Sequence, residues 1–128
     1  DNIFQGTIIS HDHDALSTSI QWHDKVLSAG YAPDFNIDEE IDWVIPPYKI
    51  LANAESEITS PQKNQMTGTI IDLIQLGEGT IVTIDFDGLD DCLQMNYSTH
   101  HIHEQNLNPG NSITVSLIPD GIHIMGYS

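Results

Sequence analysis

Positive charge is scarce in this sequence. Its 128 residues contain three lysines (Lys25, Lys49 and Lys63) and no arginine, against 19 aspartates and glutamates, for a formal net charge of −16. A nucleic-acid-binding protein needs Lys and Arg side chains to neutralise phosphates, so neither DNA nor RNA is an expected partner. The same negative field opposes direct docking on an anionic membrane surface.

Cysteine and long apolar runs are scarce as well. The single cysteine, Cys92, cannot form an internal disulfide, which fits a reducing compartment. No apolar run approaches the roughly 20 residues that a membrane-spanning helix needs. The first residues, Asp1 to Gly6, contain neither an initiator Met nor the regions of a signal peptide. We therefore expect a soluble piece of a longer protein.

Motifs of common enzyme classes are absent too. The sequence has no G-x-x-x-x-G-K-[ST] phosphate loop, no G-x-S-x-G nucleophile elbow, no C-x-x-C pair and no H-E-x-x-H zinc motif. Carboxylates are so numerous that a pair suited to acid–base catalysis is expected by chance. We predict that the chain is not an enzyme, and we assign no catalytic residue.

An internal repeat is the most informative feature that is present. The segment Asn2–Ile9 recurs 62 residues later (64 − 2) at Asn64–Ile71, with five of eight positions identical in an N-x-x-x-G-T-I-I pattern. Aligning Ile45-Pro46 with Ile118-Pro119 gives an offset of 73 (118 − 45), which is 11 more than 62. The second unit is therefore predicted to carry an insertion, which includes Ser98 to Asn106.

Polar and apolar residues alternate with a period of two in both units, and Gly, Pro, Asn and Asp bound the alternating runs. This pattern predicts β-strands, and no long amphipathic helix is expected. The strands are predicted near Phe4–Ser10, Ser17–His23, Lys25–Ser28, Ile41–Ile45, Lys49–Asn53, Met66–Ile74, Thr80–Phe86, Cys92–Tyr97, Ser112–Leu117 and Ile122–Met125.

The repeat and the strand pattern together predict an all-β fold. We expect two tandem small β-barrels, because closing a sheet into a barrel removes its edges. The first unit is residues 1–53, a polar and β-poor linker is residues 54–63, and the second unit is residues 64–128. At most one short helix is expected, at residues 99–106.

The histidines are candidate metal ligands. His11 and His13 share a face if they lie on a strand, and His100, His101 and His103 cluster in the predicted insertion. Imidazole binds Zn, Ni and Cu, but this spacing is not diagnostic. The H-D-H-D run equally fits the polar tip of a hairpin, so we assign no metal site.

An acidic run, Asp85 to Asp91, superficially resembles a calcium loop. It lacks the third ligand before the glycine and the distant glutamate of an EF-hand. The alternation instead favours a strand, a turn at Asp87-Gly88 and a second strand.

Two groups of residues stand out beyond these. Asn2, Asn64, Gly6 and Gly68 recur at equivalent places, which indicates a structural role, since glycine inside a strand marks a bulge, a barrel corner or a close backbone approach. The segment Tyr97–His101 lies where a strand gives way to a predicted helix start. Its backbone N–H groups and hydroxyls suit an oxyanion, and simple N-capping by Ser or Thr explains the same pattern.

These residues resemble the TOBE and Mop-type β-barrel domains that follow the ATPase domain in ABC importers, and molybdate and tungstate uptake systems are the most similar. The family pattern consists of an Asn-x-x-x-Gly strand, a Thr-(Arg/Lys)-x-Ser turn with a short helix, a Leu-x-Pro-Gly turn and an Ile-His-Ile-like strand. The corresponding segments here are Asn64–Gly68, Ser98–His101, Leu107–Gly110 and Ile122–Ile124.

The resemblance implies a pair of OB-like barrels that dimerise and bind an oxyanion, molybdate or tungstate, between barrels. The residues carried over to that site by position are Lys63, Asn64, Ser98, Thr99 and His101. The implied function is a non-catalytic regulatory domain of a cytoplasmic ABC-importer ATPase subunit at the inner face of the cell membrane. Its partners are then its own ATPase domain, a second copy and, indirectly, the permease. The alternative is a free-standing protein that binds an oxyanion or a metal through histidine.

Overall fold

Ten β-strands make up most of the computed structural model, which describes residues 2–52, 64–86 and 91–127. All ten predicted strands are confirmed, with ends shifted by a few residues at most. The strands are β1 Asn2–Asp12, β2 Ser17–Trp22, β3 Lys25–Gly30, β4 Glu40–Ile45, β5 Ile50–Ala52, β6 Gln65–Leu76, β7 Gly79–Asp85, β8 Cys92–Ser98, β9 Ser112–Leu117 and β10 His123–Gly126.

Helical structure is brief. Among the described residues there is one α-helix, α1 (Thr99–Glu104), at the predicted place, and two 3₁₀ turns, Pro47–Lys49 and Pro119–Gly121. No helix in the described ranges is long and apolar enough to cross a membrane.

The strands form two five-stranded antiparallel sheets that exchange strands between the halves of the chain. The first sheet has the order β10-β4-β1-β2-β3 and the second has the order β5-β9-β6-β7-β8. Strand β5 thus belongs with the second half, and β10 pairs with β4 of the first half. The two halves on either side of the predicted linker do not coincide with the two sheets. The linker, 54–63, lies outside the described residues, and the division into units 1–53 and 64–128 stays a prediction.

Alternating side chains of both sheets meet in one apolar core. In β7 every second residue is buried, as the period of two requires. The ring of Phe4 lies 5.1 Å from that of Trp22 and 4.9 Å from that of Trp43, centroid to centroid. Residues of both sheets belong to the same cluster. Burial of these large side chains is the main favourable contribution to folding.

The structure corrects the alignment of the repeat. The two 3₁₀ turns begin at Pro47 and Pro119, so Pro119 corresponds to Pro47 rather than to Pro46. The register agrees, because Gly6 pairs with Ile41 and Gly68 pairs with Ile113, an offset of 72 (113 − 41). The insertion is therefore 10 residues (72 − 62) rather than 11.

Most of the insertion lies where it was predicted. The segment from Val26 to Glu40 spans 14 positions, and the equivalent segment from Cys92 to Ser112 spans 20. Six of the 10 extra residues (20 − 14) therefore fall between β8 and β9, where α1 lies.

The two repeated glycines lie where strands approach each other closely. A Cβ atom on Gly68 would lie 2.6 Å from the carbonyl oxygen of Asp85 and 2.8 Å from Cδ1 of Phe86. On Gly6 it would lie 2.9 Å from the carbonyl oxygen of Gln21. Neither place has room for a side chain. The predicted structural role of both glycines is confirmed.

Candidate functional site

Asn64, one of the predicted oxyanion-binding residues, uses its whole side chain to join the two sheets. Its Nδ2 donates to the carbonyl oxygens of Ser28 at 2.8 Å and Leu117 at 2.9 Å, and its Oδ1 accepts from the N–H of Ser28 at 2.8 Å. Because both amide protons are engaged, the side chain has no donor left for an oxyanion.

Asn2 makes the equivalent bridge at the start of β1. Its Nδ2 donates to the carbonyl oxygens of Ile45 at 3.2 Å and Gln94 at 2.8 Å, and its Oδ1 accepts from the N–H of Gln94 at 2.8 Å. Each asparagine thus ties its own sheet to the last strand in the order of the other sheet, β3 for Asn64 and β8 for Asn2. The predicted structural role of Asn2 and Asn64 is confirmed.

The three predicted residues around α1 are also held by local contacts. Ser98 caps the helix, since its Oγ accepts from the N–H of His101 at 3.4 Å. The hydroxyl of Thr99 donates to the carbonyl oxygen of Gly77 at 2.9 Å and lies 2.8 Å from the hydroxyl of Thr80. The ring of His101 packs against that of Tyr97, 5.4 Å away. N-capping by Ser98 is therefore the role that the geometry shows.

Asn64 and Thr99 lie at opposite ends of β6. Asn64 immediately precedes the strand, whereas Thr99 contacts the turn at Gly77-Glu78 beyond the other end. Twelve residues of strand extend roughly 40 Å at about 3.3 Å per residue. Lys63 lies outside the described residues. Among the described members of the predicted set, Asn64 is therefore not brought together with Ser98, Thr99 and His101 within one chain.

The histidine pair at the first hairpin is not arranged as a metal site. The H-D-H-D run is the hairpin tip that the sequence suggested as one interpretation. His11 Nε2 donates to the carbonyl oxygen of Phe35 at 2.7 Å, so its Nδ1, 2.8 Å away, accepts from the hydroxyl of Thr18. Both ring nitrogens are occupied. Within the described ranges, no group of three or more His, Cys, Asp or Glu side chains could hold a metal ion.

The acidic run at Asp85 lies between two paired strands. β7 and β8 are antiparallel, and Asp85 pairs with Cys92. This is the strand–turn–strand arrangement that was favoured over a calcium loop. The predicted turn at Asp87-Gly88 lies outside the described residues.

The outer faces of the two sheets each carry a cleft. The acidic cleft has a volume of about 550 Å³ and lies over β1, β2 and β4. Its carboxylates repel an oxyanion, because like charges at close range raise the free energy of the bound anion. It is lined by Ile3, Phe4, Gln5, Gly6, Thr7, Gln21, His23, Glu40, Asp42, Asp91 and Tyr127.

The second cleft, which we call the hydroxyl cleft, has a volume of about 240 Å³ and different chemistry. Its polar side chains are three hydroxyls and one ammonium group, and no carboxylate is among the described residues that line it. Of the residues that line it, only Gly68 stood out in the sequence, and it did so for a structural role. The lining residues are Lys25, Thr67, Gly68, Thr69, Phe86 and Ser112.

A family comparison identifies the chain. The model of the TOBE domain family matches residues 47–125, which is more than half of the sequence. The chain belongs to the TOBE domain family. The match covers both 3₁₀ turns, strands β5 to β9, α1 and the residues that line the hydroxyl cleft, apart from Lys25.

A structural comparison extends the similarity to 98% of this TOBE chain. Among 34 matching chains of solved structures is the cytoplasmic molybdate-binding protein ModG, solved with molybdate bound. It superposes with a TM-score of 0.85 over 98% of this chain and 96% of that chain, at 18% sequence identity. No curated protein matches by sequence. The predicted fold class, an all-β fold of two tandem OB-like barrels, is confirmed.

Proposed function

We propose that this TOBE protein is a non-catalytic domain that binds a small tetrahedral oxyanion, molybdate or tungstate. The observation that carries the proposal is the superposition of nearly the whole chain on a protein whose structure holds molybdate. The hydroxyl cleft supports it further, since hydroxyls and an ammonium group are suitable donors to an oxyanion.

The proposed setting is the regulatory part of an ABC-importer ATPase subunit at the cytoplasmic face of the cell membrane. Its partners are the ATPase domain, a second copy of the chain and, through them, the permease. The second copy is carried over from the family resemblance, in which the barrels dimerise.

A free-standing oxyanion-binding protein is the second candidate. One observation favours it: this chain spans 96% of the molybdate-binding protein that it superposes on. The gene separates the two settings. A phosphate loop and an ABC signature in the same reading frame upstream support the transporter domain, whereas an initiator Met directly before Asp1 supports the free-standing protein.

Calorimetric titration with molybdate, tungstate, sulfate, Zn²⁺ and Ni²⁺ tests the proposal. We expect heat of binding with molybdate or tungstate and none with the two metals. Absence of binding to every oxyanion would refute the proposal. Tight Zn²⁺ binding that is lost in His100→Ala/His101→Ala would establish the metal-binding alternative. Light scattering on the same samples measures whether two or more copies associate.

A further inference from the structure

We propose that the hydroxyl cleft is the oxyanion-binding place that a single copy of this chain provides. The inference rests on the proposed function for the ligand class, and it assigns residues that the family resemblance does not. Residues of both sheets line the cleft. Lys25 begins β3 of the first sheet, while Thr67, Thr69 and Ser112 lie on β6 and β9 of the second.

The donors in this cleft are not consumed by other contacts in the described part of the chain. Lys25 has no described carboxylate within 4 Å, since the ion pairs there involve only His23 and His100. Thr69 and Ser112 face each other across the β6–β9 pair. The hydroxyls of Thr67 and Thr114 lie 2.7 Å apart and form one hydrogen bond. That bond uses one of their two hydroxyl protons, so one proton is left to donate to a ligand.

The internal repeat provides a comparison within the same molecule. Thr7 pairs with Glu40 in the first sheet, and its counterpart Thr69 pairs with Ser112 in the second. The acidic cleft therefore has a carboxylate where the hydroxyl cleft has a hydroxyl.

The wall that comes from the opposite sheet is reversed in charge as well. Lys25 directly precedes Val26, which pairs with Gln21. In the same way, Asp91 directly precedes Cys92, which pairs with Asp85. Gln21 and Asp85 are counterparts, because Gln21 pairs with Thr7 and Asp85 pairs with its counterpart Thr69. Lys25 and Asp91 therefore occupy equivalent positions in the two clefts. At two positions the same scaffold carries carboxylates in one cleft and donors in the other.

The size and surroundings of the hydroxyl cleft limit the ligand to a small anion. About 240 Å³ is below the range of roughly 300–1,000 Å³ that is usual for drug-sized molecules. The neighbouring carboxylate of Asp85 is directed at Cys92, whose Sγ lies 3.7 Å from its Oδ1. The net charge of −16 opposes any anion at long range, but salt screens it beyond about 8 Å. We therefore expect binding that weakens at low ionic strength.

Three single variants test the assignment by calorimetric titration with molybdate, tungstate and sulfate. Lys25→Met removes the ammonium group, and we expect affinity to fall about ten- to hundredfold. Lys49→Met is the matched control, because it removes the same charge from a lysine that packs over Gly121 and Tyr48. Its affinity should change less than twofold.

Ser112→Glu places in the hydroxyl cleft the residue that the acidic cleft has at the equivalent position. The variant should fold, since Ser112 is exposed and its counterpart Glu40 is tolerated in the same register. We expect it to melt normally and to bind no oxyanion.

The outcomes test separately whether the hydroxyl cleft is the binding site and whether the protein binds molybdate or tungstate. Molybdate binding that is lost in Lys25→Met and Ser112→Glu and kept in Lys49→Met supports both. Molybdate binding unchanged in Lys25→Met and Ser112→Glu overturns the site and leaves the function standing. Sulfate binding alone, lost in Lys25→Met, supports the site and overturns molybdate as ligand. Absence of all binding overturns both.

Discussion

The side chain of Asn64 offers the sharpest test of the structure, because two different roles, structural and oxyanion-binding, were predicted for it. Replacing Asn64 with Ala removes three hydrogen bonds that tie β6 to Ser28 and Leu117. It also places a non-glycine residue without a polar side chain at a φ of 57°. Both changes act on the folded state at the junction between the sheets.

The expected loss of stability follows from these contacts. Three hydrogen bonds at about 0.5–1.5 kcal/mol each give roughly 1.5–4.5 kcal/mol, and the left-handed backbone adds about 1 kcal/mol. We therefore expect Asn64→Ala to lower the free energy of unfolding by about 2.5–5.5 kcal/mol, a large part of the usual 5–15 kcal/mol. For a chain of this length, the melting temperature should fall by roughly 10–20 °C.

Differential scanning calorimetry measures the change, and Asn64→Gly is the matched variant. Glycine accepts the positive φ, so the difference between the two variants isolates the backbone contribution of about 1 kcal/mol. Melting of both variants within 2 °C of the wild type, roughly 0.5 kcal/mol, would refute the structural role. Loss of molybdate binding at unchanged stability would instead support the role carried over from the family resemblance.

Three further predictions concern other contacts. Gly68→Ala should lower the free energy of unfolding by about 2–4 kcal/mol, because its Cβ would lie 2.6 Å from a backbone oxygen. The control Gly126→Ala, whose Cβ would have no atom within 4 Å, should change it by less than about 0.5 kcal/mol; urea unfolding measures both. Thr99→Val should cost about 1–3 kcal/mol by leaving polar partners unpaired; an unchanged melting temperature would contradict this. Burial and then Asp85 raise the pKa of the Cys92 thiol, so Asp85→Asn should lower that pKa and speed alkylation at pH 8, and an equal rate would argue against it.

The strands could be predicted from the sequence because their signal is local. Alternating burial along β2 and β7 reflects the two faces of a sheet, and the period of two is visible in the residues themselves. The exchange of β5 and β10 could not be predicted in the same way. A hydrophobic pattern shows which face is buried, and it contains no information about which strand lies alongside.

The candidate site was predictable only in part for a related reason. Repetition of Asn64 and Gly68 correctly indicated structural roles, since both repeats must solve the same packing problem. The family resemblance aligned Ser98 and Thr99 with a binding turn, but sequence spacing does not show that β6 separates them from Asn64. The hydroxyl cleft was missed because serine and threonine are common on strands. Lys25 joins it only through the packing of one sheet against the other.

The exchanged strands have a consequence for how the chain is made. Strand β10 completes the first sheet by pairing with β4, so residues 123–126 are the last part of a sheet whose other strands lie before residue 46. During synthesis the first sheet must wait, with one edge of β4 uncovered, until residues 123–126, which begin 78 positions (123 − 45) after the end of β4, have left the ribosome. Pairings of such long sequence separation slow folding and leave strand edges open to other nascent chains. The abundance of negative charge, which repels copies from one another, protects the chain during that interval.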